Sequence, residues 1–452
     1  SWSRLFNIRV WIRFLLGFSN QGTEKELLAY NSESTLHHAN IIDSKIDDEL
    51  RLGRLLGPFP NPVFQNSKIS PLSVIPKKEK GKYRMIHNLS YPYDKSSVNA
   101  NIPTECSTVK YETIGNAIQI IQQCSPNAFM AKTDIADAFR LIPLHPSQYH
   151  LTGFSWRNKI YYDLCLPMGA SSSCRIFERF SNALKFILIH RFQIVNVTKI
   201  LDDFLFVSSS KLTCQRYLDI FIDLCQTINI PLAKHKTVAP TNEIIFLGIQ
   251  INSTKMIAQL PEDKLHNYKL AVEKFYDRKK FSLKEFQSMI GKLQFATCVI
   301  PVGRCFLRRL YNATIGKSQR SFLRMNCDIQ QDLKMWMQFL REYNGRTIIE
   351  EKRTISSTQL CFYSDSSITG FGGTFGKEWI QGLWPTAWKK FHITILELYP
   401  IYILVNKYEH LLVNCNVIFY CDNQAVTSII NSQTSKDVMI KNFKASRIDF
   451  VN

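Results

Sequence analysis

Three aspartates stand beside apolar segments and could together hold divalent cations. Asp134 ends the apolar segment 129–134, and the pair Asp202-Asp203 lies 68 residues further on (202 − 134), between two apolar runs. Phosphoryl transfer uses two divalent cations about 3.5–4 Å apart, and Mg²⁺ prefers a few carboxylates with water and phosphate completing its shell. Aspartate pairs are also common in β-turns. The flanking apolar runs and the second strand-end carboxylate favour a metal site.

A second ordered set of carboxylates follows nearer the C-terminal end. Asp365 precedes a glycine-rich turn, Glu397 lies in a segment of helical character, and Asp422 follows the apolar segment 417–421. The spacings are 32 (397 − 365) and 25 (422 − 397) residues. Alone, Glu397 is better explained as a surface helix glutamate. The ordered set instead favours a second two-metal site, which would activate water to cut a phosphodiester.

The segments around these residues predict a mixed architecture of helices and strands. Predicted strands span 129–135, 194–200, 204–208, 244–249 and 417–421, and predicted helices span 48–56, 172–189 and 212–228. Residues 71–90 predict a hairpin with a basic tip, and 260–345 a long helical region rich in Lys and Arg. We interpret 20–47 as a linker, and 2–18 as an amphipathic basic helix that lies on the protein itself or on nucleic acid.

Composition points to a polyanionic partner and an intracellular setting. The 452 residues carry a formal charge of +19 (56 basic minus 37 acidic), which favours nucleic acid over a membrane surface. The 12 cysteines include no Cys-x-x-Cys pair and lie singly in apolar stretches, for example Cys225, Cys298 and Cys361. This predicts reduced, buried thiols in the cytoplasm or nucleus. No apolar run reaches the roughly 18–20 residues that span a bilayer.

Five segments, in order, resemble motifs A to E of reverse transcriptases: 132–139, 166–173, 200–203, 232–237 and 246–249. Further segments, 57–59, 69–72 and 96–99, most resemble the tyrosine-recombinase retrotransposons of the DIRS type. The resemblance implies an α+β right-hand polymerase with fingers, palm and thumb. An α/β RNase H-like domain, incomplete at its C-terminus, would follow. Two positions depart from the usual motifs, since Ile200 replaces an aromatic and Met168 stands where Gln is frequent.

The resemblance also implies roles at the polymerase site. Asp134, Asp202 and Asp203 would bind two Mg²⁺ (or Mn²⁺) ions and act as the catalytic carboxylates. Phe139, after Asp137 and Ala138, would exclude a 2′-hydroxyl, although a core aromatic is the alternative. The other implied contacts are Lys77 or Lys78 with Arg84 on the triphosphate, Met168 and Gly169 at the nucleotide, Lys234 or Lys236 as the proton donor to pyrophosphate, and Phe246, Leu247 and Gly248 as the primer grip.

For the second set, the resemblance implies that Asp365, Glu397 and Asp422 are catalytic and bind two metal ions that serve RNA cleavage. RNase H domains commonly supply a fourth ligand, but the chain stops 30 residues after Asp422 (452 − 422), and the contexts of Asp437 and Asp449 do not fit. We therefore expect a weak or inactive hydrolase. The expected domains are an extension (1–48), fingers and palm (49–250), thumb and connection (251–353) and the RNase H-like part (354–452). The start at Ser1 indicates a piece of a longer product.

The leading hypothesis is a reverse transcriptase with RNase H that serves a retrotransposon. Its partners would be an RNA template, a DNA primer, an RNA–DNA hybrid and deoxynucleoside triphosphates, with the oligomeric state open. A nucleic-acid-binding protein that kept the fold but lost catalysis is the alternative. The intact carboxylates argue against it, whereas Ile200 and the short C-terminal end keep it open. An RNA-dependent RNA polymerase would share the Asp-pair turn, but Phe139 and the second carboxylate set argue against it.

Overall fold

The structure, a computed structural model, describes residues 13–19, 27–76, 81, 83–124, 126–318, 320–342, 344–347, 353–412 and 415–432. The chain divides into two compact units. The first comprises Ser1–Ile120 and Phe129–Thr241, and the second comprises Ile121–Ala128 and Asn242–Asn452. The finer four-part division at 48, 250 and 353 stays a prediction.

The first unit contains strands β1 to β11 and helices α1 to α6. The strands are Leu27–Leu28, Leu55–Phe59, Lys68–Ile69, Leu72–Pro76, Tyr83–His87, Phe129–Asp134, Gly153–Trp156, Lys159–Asp163, Val197–Ile200, Asp203–Ser208 and Val238–Thr241. The helices are Ser34–His37, Ala39–Arg51, Thr104–Ser107, Ile114–Gln123 (whose last residues belong to the second unit), Ser173–Phe192 and Lys211–Thr227.

A four-stranded sheet of order β11-β6-β10-β9 forms the centre of the first unit. Its strands β6 and β10 run antiparallel, and all of Phe204, Leu205, Phe206 and Val207 are buried. The ring of Phe204 stacks on Phe221 of α6 at 4.5 Å between centroids. Burying each such side chain contributes roughly 1.5–3 kcal/mol, so the sheet gives its end residues a rigid base.

Two further sheets accompany this centre. A five-stranded sheet has the order β1-β3-β7-β8-β2, and β4 pairs with β5 as a two-stranded hairpin. The hairpin register runs from Leu72↔His87 to Pro76↔Tyr83. The predicted hairpin is thus confirmed, and so are the strands predicted at 129–135, 194–200 and 204–208 and the helices predicted at 172–189 and 212–228.

The second unit contains strands β12 to β22 and helices α7 to α13. The strands are Glu243–Phe246, Ile249–Asn252, Ile257–Gln259, Lys280–Ser282, Phe322–Arg324, Arg346–Thr347, Arg353–Ser356, Tyr363–Ser366, Gly370–Phe375, Glu378–Leu383 and Cys415–Ile418. The helices are Glu262–Tyr276, Leu283–Ala296, Arg308–Asn312, Cys327–Glu342, Ile393–Lys407, Glu409–Leu412 and Gln424–Ser432.

The predicted helical region 260–345 is confirmed by α7 to α10. Helix α8 begins with a reciprocal capping box between Ser282 and Glu285, which satisfies two backbone donors at its start. Further along the chain, β19-β20-β21 form an antiparallel sheet, and β18 pairs in parallel with β22. A Cβ at Gly373 would lie 2.7 Å from Leu404 Cδ1, so this strand needs glycine where α11 packs on it.

Several predicted elements are wrong in extent. The segment 20–47 is no linker, because α1 and most of α2 lie in it; Ile42, Ile46 and Glu49 form the buried face of α2 at helical spacing. The helix predicted at 48–56 therefore ends at Arg51, and Gly57 and Pro58 belong to β2. Residues 13–19 are not helical, since Phe14 makes a β-bridge to Leu144; residues 1–12 lie outside the described residues.

Two other predictions need correction. The strand predicted at 244–249 is split by a turn at Leu247 and Gly248, which both have positive φ (50° and 75°). The strand predicted at 417–421 ends at Ile418. The described cysteines form no disulfide with one another, and Cys361 is exposed rather than buried. Within the described ranges, no helix is both long and apolar enough to cross a membrane.

Candidate active site and a second carboxylate cluster

Strand register brings the first three aspartates together. Asp203 begins β10 directly opposite Asp134, which ends β6. The carbonyl oxygen of Asp202 accepts a hydrogen bond from the backbone N–H of Ile135 at 2.9 Å, which fixes the turn against the neighbouring strand. The turn itself is tight, because Ile200 and Asp203 pair across it and Leu201 has a φ of 51°. The sequence-predicted triad therefore lies at one edge of a buried sheet.

Burial and mutual repulsion make these carboxylates costly to ionise. Burial raises the pKa of Asp203 to about 6, and the charges of Asp134 and Asp202 add to the rise. Burial and Asp134 likewise raise the pKa of Asp202, against which the charges of Lys236 and Arg84 act. Anionic oxygens held together at an electrostatic cost fit a divalent cation, because the cation relieves the repulsion.

Lys236 supplies positive charge at the same edge. Its Nζ donates to both carboxylate oxygens of Asp134 at 2.9 Å. Although partial burial opposes it, this contact raises the pKa of Lys236 above its ordinary value. Lys234 begins the same short 3₁₀ turn, Lys234–Lys236, and its side chain is exposed. Of the two lysines that the sequence left open, the structure therefore brings Lys236 to the aspartates.

The segment after Asp134 carries three of the residues that are predicted to contact the nucleotide. Asp137 has a φ of 52°, and its carboxylate accepts from Arg54 at 3.2 Å. Ala138 and Phe139 begin the 3₁₀ turn Ala138–Leu141. The Phe139 ring is partly buried and meets Phe177 of α5 edge-on, with 5.6 Å between centroids. Phe139 therefore packs on the core and keeps part of its surface exposed, and its role as a gate stays a prediction.

Asn99 holds the segment that precedes α5. Its Nδ2 donates to the carbonyl of Gly169 at 2.9 Å, and its Oδ1 accepts from the N–H of Ser171 at 2.9 Å. Gly169 is required here, since a Cβ would lie 1.7 Å from the carbonyl oxygen of His87. Met168 is 49% exposed beside it. The predicted nucleotide-contacting residues thus stand on a backbone fixed from two sides.

One of the remaining predicted phosphate ligands lies on the β4–β5 hairpin. Arg84 is exposed on β5, and its charge acts on Asp202, so the hairpin reaches the aspartates electrostatically. Lys77 and Lys78 lie outside the described residues.

The predicted primer grip belongs to the second unit. Phe246 is buried, and Leu247 and Gly248 form the turn between β12 and β13. The carbonyl of Gly248 accepts from Lys264 at 2.8 Å, and Lys264 also lies over the ring of Phe295 at 4.2 Å. The turn is therefore fixed to α7 and α8.

The second carboxylate set is brought together only in part. Glu397, Cys421 and Asp422 place one ligand atom each within 4.8 Å of one another. Asp365 is exposed on β19 and lies outside that group, but Ser366 beside it donates to the carbonyl of Leu396, next to Glu397, at 2.9 Å. Burial raises the pKa of Glu397, and Asp422 and Asp365 add to the rise.

One carboxylate oxygen of this cluster has no hydrogen-bond donor among the described residues. Within the described part of the chain, Glu397 Oε2 is buried and makes no hydrogen bond. A buried carboxylate oxygen without a donor is costly, and a cation would satisfy it. The donor set fits a divalent ion, with the sulfur of Cys421 as an addition that the sequence motifs do not predict.

Sequence reasoning missed two sets of charged groups that are buried in the first unit. Arg140 bonds Asp163 at 2.7 Å and Glu49 at 3.0 Å, and His87 contacts Asp163 at 3.2 Å. Lys199 is fully buried against Glu178 at 2.7 Å. Their signal was a charged residue at an apolar position: Glu49 follows Ile42 and Ile46 at helical spacing, and Lys199 interrupts an apolar strand.

Part of this chain is similar in sequence to known polymerase proteins. Residues 75–251 match the family described as "Reverse transcriptase (RNA-dependent DNA polymerase)". "Protein P" of duck hepatitis B virus (isolate brown Shanghai duck S5) is 25% identical over 272 residues, 55% of this chain and 34% of its own length. The "Pro-Pol polyprotein" of feline foamy virus is 24% identical over 282 residues, 62% of this chain and 21% of its own length. The chain thus spans about a third or less of these relatives.

Two solved structures of foamy viral protease-reverse transcriptase are similar over 96% of this chain. One is a complex of its dRH form with double-stranded DNA (TM-score 0.59, 16% identity, 71% of that chain covered). The other is a complex with an RNA/DNA hybrid (TM-score 0.59, 14% identity, 55% covered). The predicted α+β right-hand polymerase fold is therefore confirmed. Over residues 75–251 the chain is thus similar to reverse transcriptases, and the curated relatives that it matches are viral polymerase proteins.

Proposed function

We propose that this chain is an RNA-directed DNA polymerase that copies RNA and DNA templates by two-metal phosphoryl transfer. The observation that carries the proposal is the triad Asp134, Asp202 and Asp203 at one sheet edge, with Asp203 opposite Asp134. Two Mg²⁺ or Mn²⁺ ions held there would supply Lewis acidity to the attacking hydroxyl and to the triphosphate. The partners would be an RNA template, a DNA primer, their hybrid and deoxynucleoside triphosphates.

The chain's own groups would bind, select and protonate. Arg84 would attract the triphosphate, and the partly open face of Phe139 would exclude a 2′-hydroxyl. Lys236 would donate the proton to departing pyrophosphate, which its contact with Asp134 supports. The backbone at Phe246, Leu247 and Gly248 would hold the primer end.

We further propose that Asp365, Glu397 and Asp422 hold metal for RNA cleavage in a hybrid. The buried, unpaired Glu397 oxygen supports this. We also infer a DIRS-type retrotransposon as the source, supported by the segments 57–59, 69–72 and 96–99. We infer an intracellular location as well, supported by cysteines that lie singly in apolar stretches without a Cys-x-x-Cys pair. A tyrosine recombinase frame in the same genetic element would test the lineage.

Primer extension on an RNA template with Mg²⁺ and deoxynucleotides tests the central proposal. Wild type should extend the primer, and the variant with both Asp202→Ala and Asp203→Ala should not. Extension that survives the double substitution would refute the assignment. A wild type that binds hybrid in a salt-sensitive manner without incorporation at any metal concentration would favour the non-catalytic alternative, and equal use of ribonucleotides would favour an RNA polymerase.

A further inference from the structure

A buried ion pair lies directly beneath the Asp202-Asp203 turn. Lys199 Nζ contacts Glu178 Oε1 at 2.7 Å and donates to Ser181 Oγ at 2.8 Å. The side chains of Lys199 and Glu178 are 0% and 6% exposed. Burying two charges costs several kcal/mol per ion before their attraction is counted. A pair of this kind is weak evidence for stability, so its place in the fold calls for another explanation.

The second oxygen of Glu178 gives that explanation. Glu178 Oε2 accepts a hydrogen bond from the backbone N–H of Leu201 at 3.1 Å. Leu201 precedes the two aspartates and has a φ of 51°, a conformation that an L-residue with a side chain adopts at a cost of roughly 1–2 kcal/mol. Such strain persists only where neighbouring groups hold it. Glu178 contacts the strained residue of this turn directly, in addition to the bond between the Ile135 N–H and the Asp202 carbonyl.

The same turn of helix α5 also contacts the predicted nucleotide gate. Phe177, next to Glu178, meets Phe139 edge-on at 5.6 Å between centroids. Adjacent residues of one helix therefore touch the segment after Asp134 and the turn that carries Asp202 and Asp203. Lys199 orients Glu178 through their ion pair, and Ser181, on the next turn of the helix, accepts a hydrogen bond from Lys199.

We propose that Glu178, held by Lys199, is a positioning residue for the Asp202-Asp203 turn. By accepting the Leu201 N–H it fixes the two carboxylates relative to Asp134 at the spacing that two cations require. This inference rests on the proposed polymerase function. It assigns Glu178 no contact with substrate or metal.

Two double variants separate the hydrogen bond from the charge. Glu178→Gln with Lys199→Gln removes both charges but keeps an acceptor for Leu201. Glu178→Leu with Lys199→Met removes the acceptor and keeps the volume and the charge balance. Tyr162→Phe is the matched control, because it removes a buried hydrogen bond to Ser67 (2.9 Å) in the same unit without touching the turn.

Mn²⁺ binding, followed by electron paramagnetic resonance without substrate, is the primary measurement, and the Mg²⁺ dependence of primer extension is the second. The Leu/Met variant should bind Mn²⁺ about tenfold more weakly, as loss of outer contacts to a metal site commonly does. It should also show a lower kcat with little change in the KM for deoxynucleotide. The Gln/Gln variant and Tyr162→Phe should stay within about twofold of wild type.

Wild-type Mn²⁺ affinity in the Leu/Met variant overturns the inference, and so does equal loss in both double variants. If the Leu/Met variant does not fold, hydrogen exchange of wild type decides. The Leu201 amide must then be protected in the metal-free protein, and fast exchange at that amide overturns the inference. If wild type binds Mn²⁺ at this turn but fails to extend primers, the proposed function is refuted. The Mn²⁺ affinities of the variants then still decide whether Glu178 positions the turn.

Discussion

The two carboxylate clusters of this protein differ in how firmly the surrounding structure positions their side chains. Asp134, Asp202 and Asp203 lie at the edge of a buried sheet, with a strand pairing, a lysine and a buried ion pair around them. In the second cluster Asp365 is exposed on its strand, and Asp422 follows β22 after several residues of irregular chain. The first site is therefore positioned by rigid elements, whereas the second depends partly on loop conformation.

The two clusters also differ in the burial of their carboxylates and in the charge of the neighbouring side chains. Burial lifts the pKa of Asp203 to about 6. It also raises the pKa of Glu397, which is less buried, and Asp422 is exposed. Lys236 compensates part of the charge at the first site, and the second has instead a neutral neighbour, Cys421. A preorganised site loses more when one member is changed, because the rest cannot relax around the loss.

The largest expected effect separates the two clusters completely. Asp203→Asn should lower DNA synthesis by about a thousandfold, because it removes a carboxylate at which charge is stabilised. It should leave cleavage of RNA in a hybrid unchanged. Asp365→Asn should lower cleavage of RNA in a hybrid and leave DNA synthesis unchanged. Primer extension and hybrid cleavage are measured on the same preparations, and a variant that loses both activities while folded would contradict two independent sites.

Lys236 gives the next largest effect. Lys236→Ala should reduce kcat for nucleotide addition by about a hundredfold, as loss of a general acid commonly does. Lys234→Ala, the matched control on the same turn, should change it by less than about threefold. The pH–rate profile of single-nucleotide addition should lose its alkaline limb only in the Lys236 variant. Equal effects of the two substitutions would remove the proton-donor assignment.

These positions illustrate what a sequence can and cannot predict. Motif order identified Asp134, Asp202 and Asp203, and apolar periodicity located α5, α6 and the long helical region. The sequence could not show which of Lys234 and Lys236 contacts Asp134. Both lysines lie on one short turn, and only the fold determines the direction of each side chain. Glu178 and Lys199 are 21 residues apart and meet only through the packing of α5 on β9. Apolar periodicity does not detect a tight turn, so it predicted a single strand at 244–249 where the chain forms two strands within 243–252.

Phe139 tests how selective the first site is. Phe139→Val should raise ribonucleotide incorporation relative to deoxynucleotide by roughly tens of times, since removing bulk at a pocket wall changes discrimination by about 1–3 kcal/mol. The ring also packs on Phe177, so Phe177→Leu serves as the packing control and should leave the ratio near wild type. The ratio is measured by single-nucleotide extension under matched conditions. An unchanged ratio in Phe139→Val would reduce this residue to a core aromatic.

The smallest expected effect concerns stability and compares both clusters directly. With a pKa of about 6, folded Asp203 binds its proton more tightly than the unfolded chain does, so its ionisation opposes folding above pH 6. Asp203→Asn should therefore stabilise the metal-free protein by up to about 3 kcal/mol at pH 8. The gain should fade as pH falls from about 6 to 4, where wild-type Asp203 is also neutral. Glu397→Gln should give a smaller gain, because that carboxylate is less buried.

Thermal unfolding with and without Mn²⁺ checks this prediction for each cluster. Mn²⁺ should stabilise wild type through binding to the folded state, so it should shrink or reverse the advantage of Asp203→Asn at pH 8. Asn99→Ala, which loosens the Gly169 segment without removing a carboxylate, should lower stability at every pH in the range. A gain in Asp203→Asn that persists at pH 4 would mean that repulsion among ionised carboxylates is not its source. The first cluster would then be no more strained than the second.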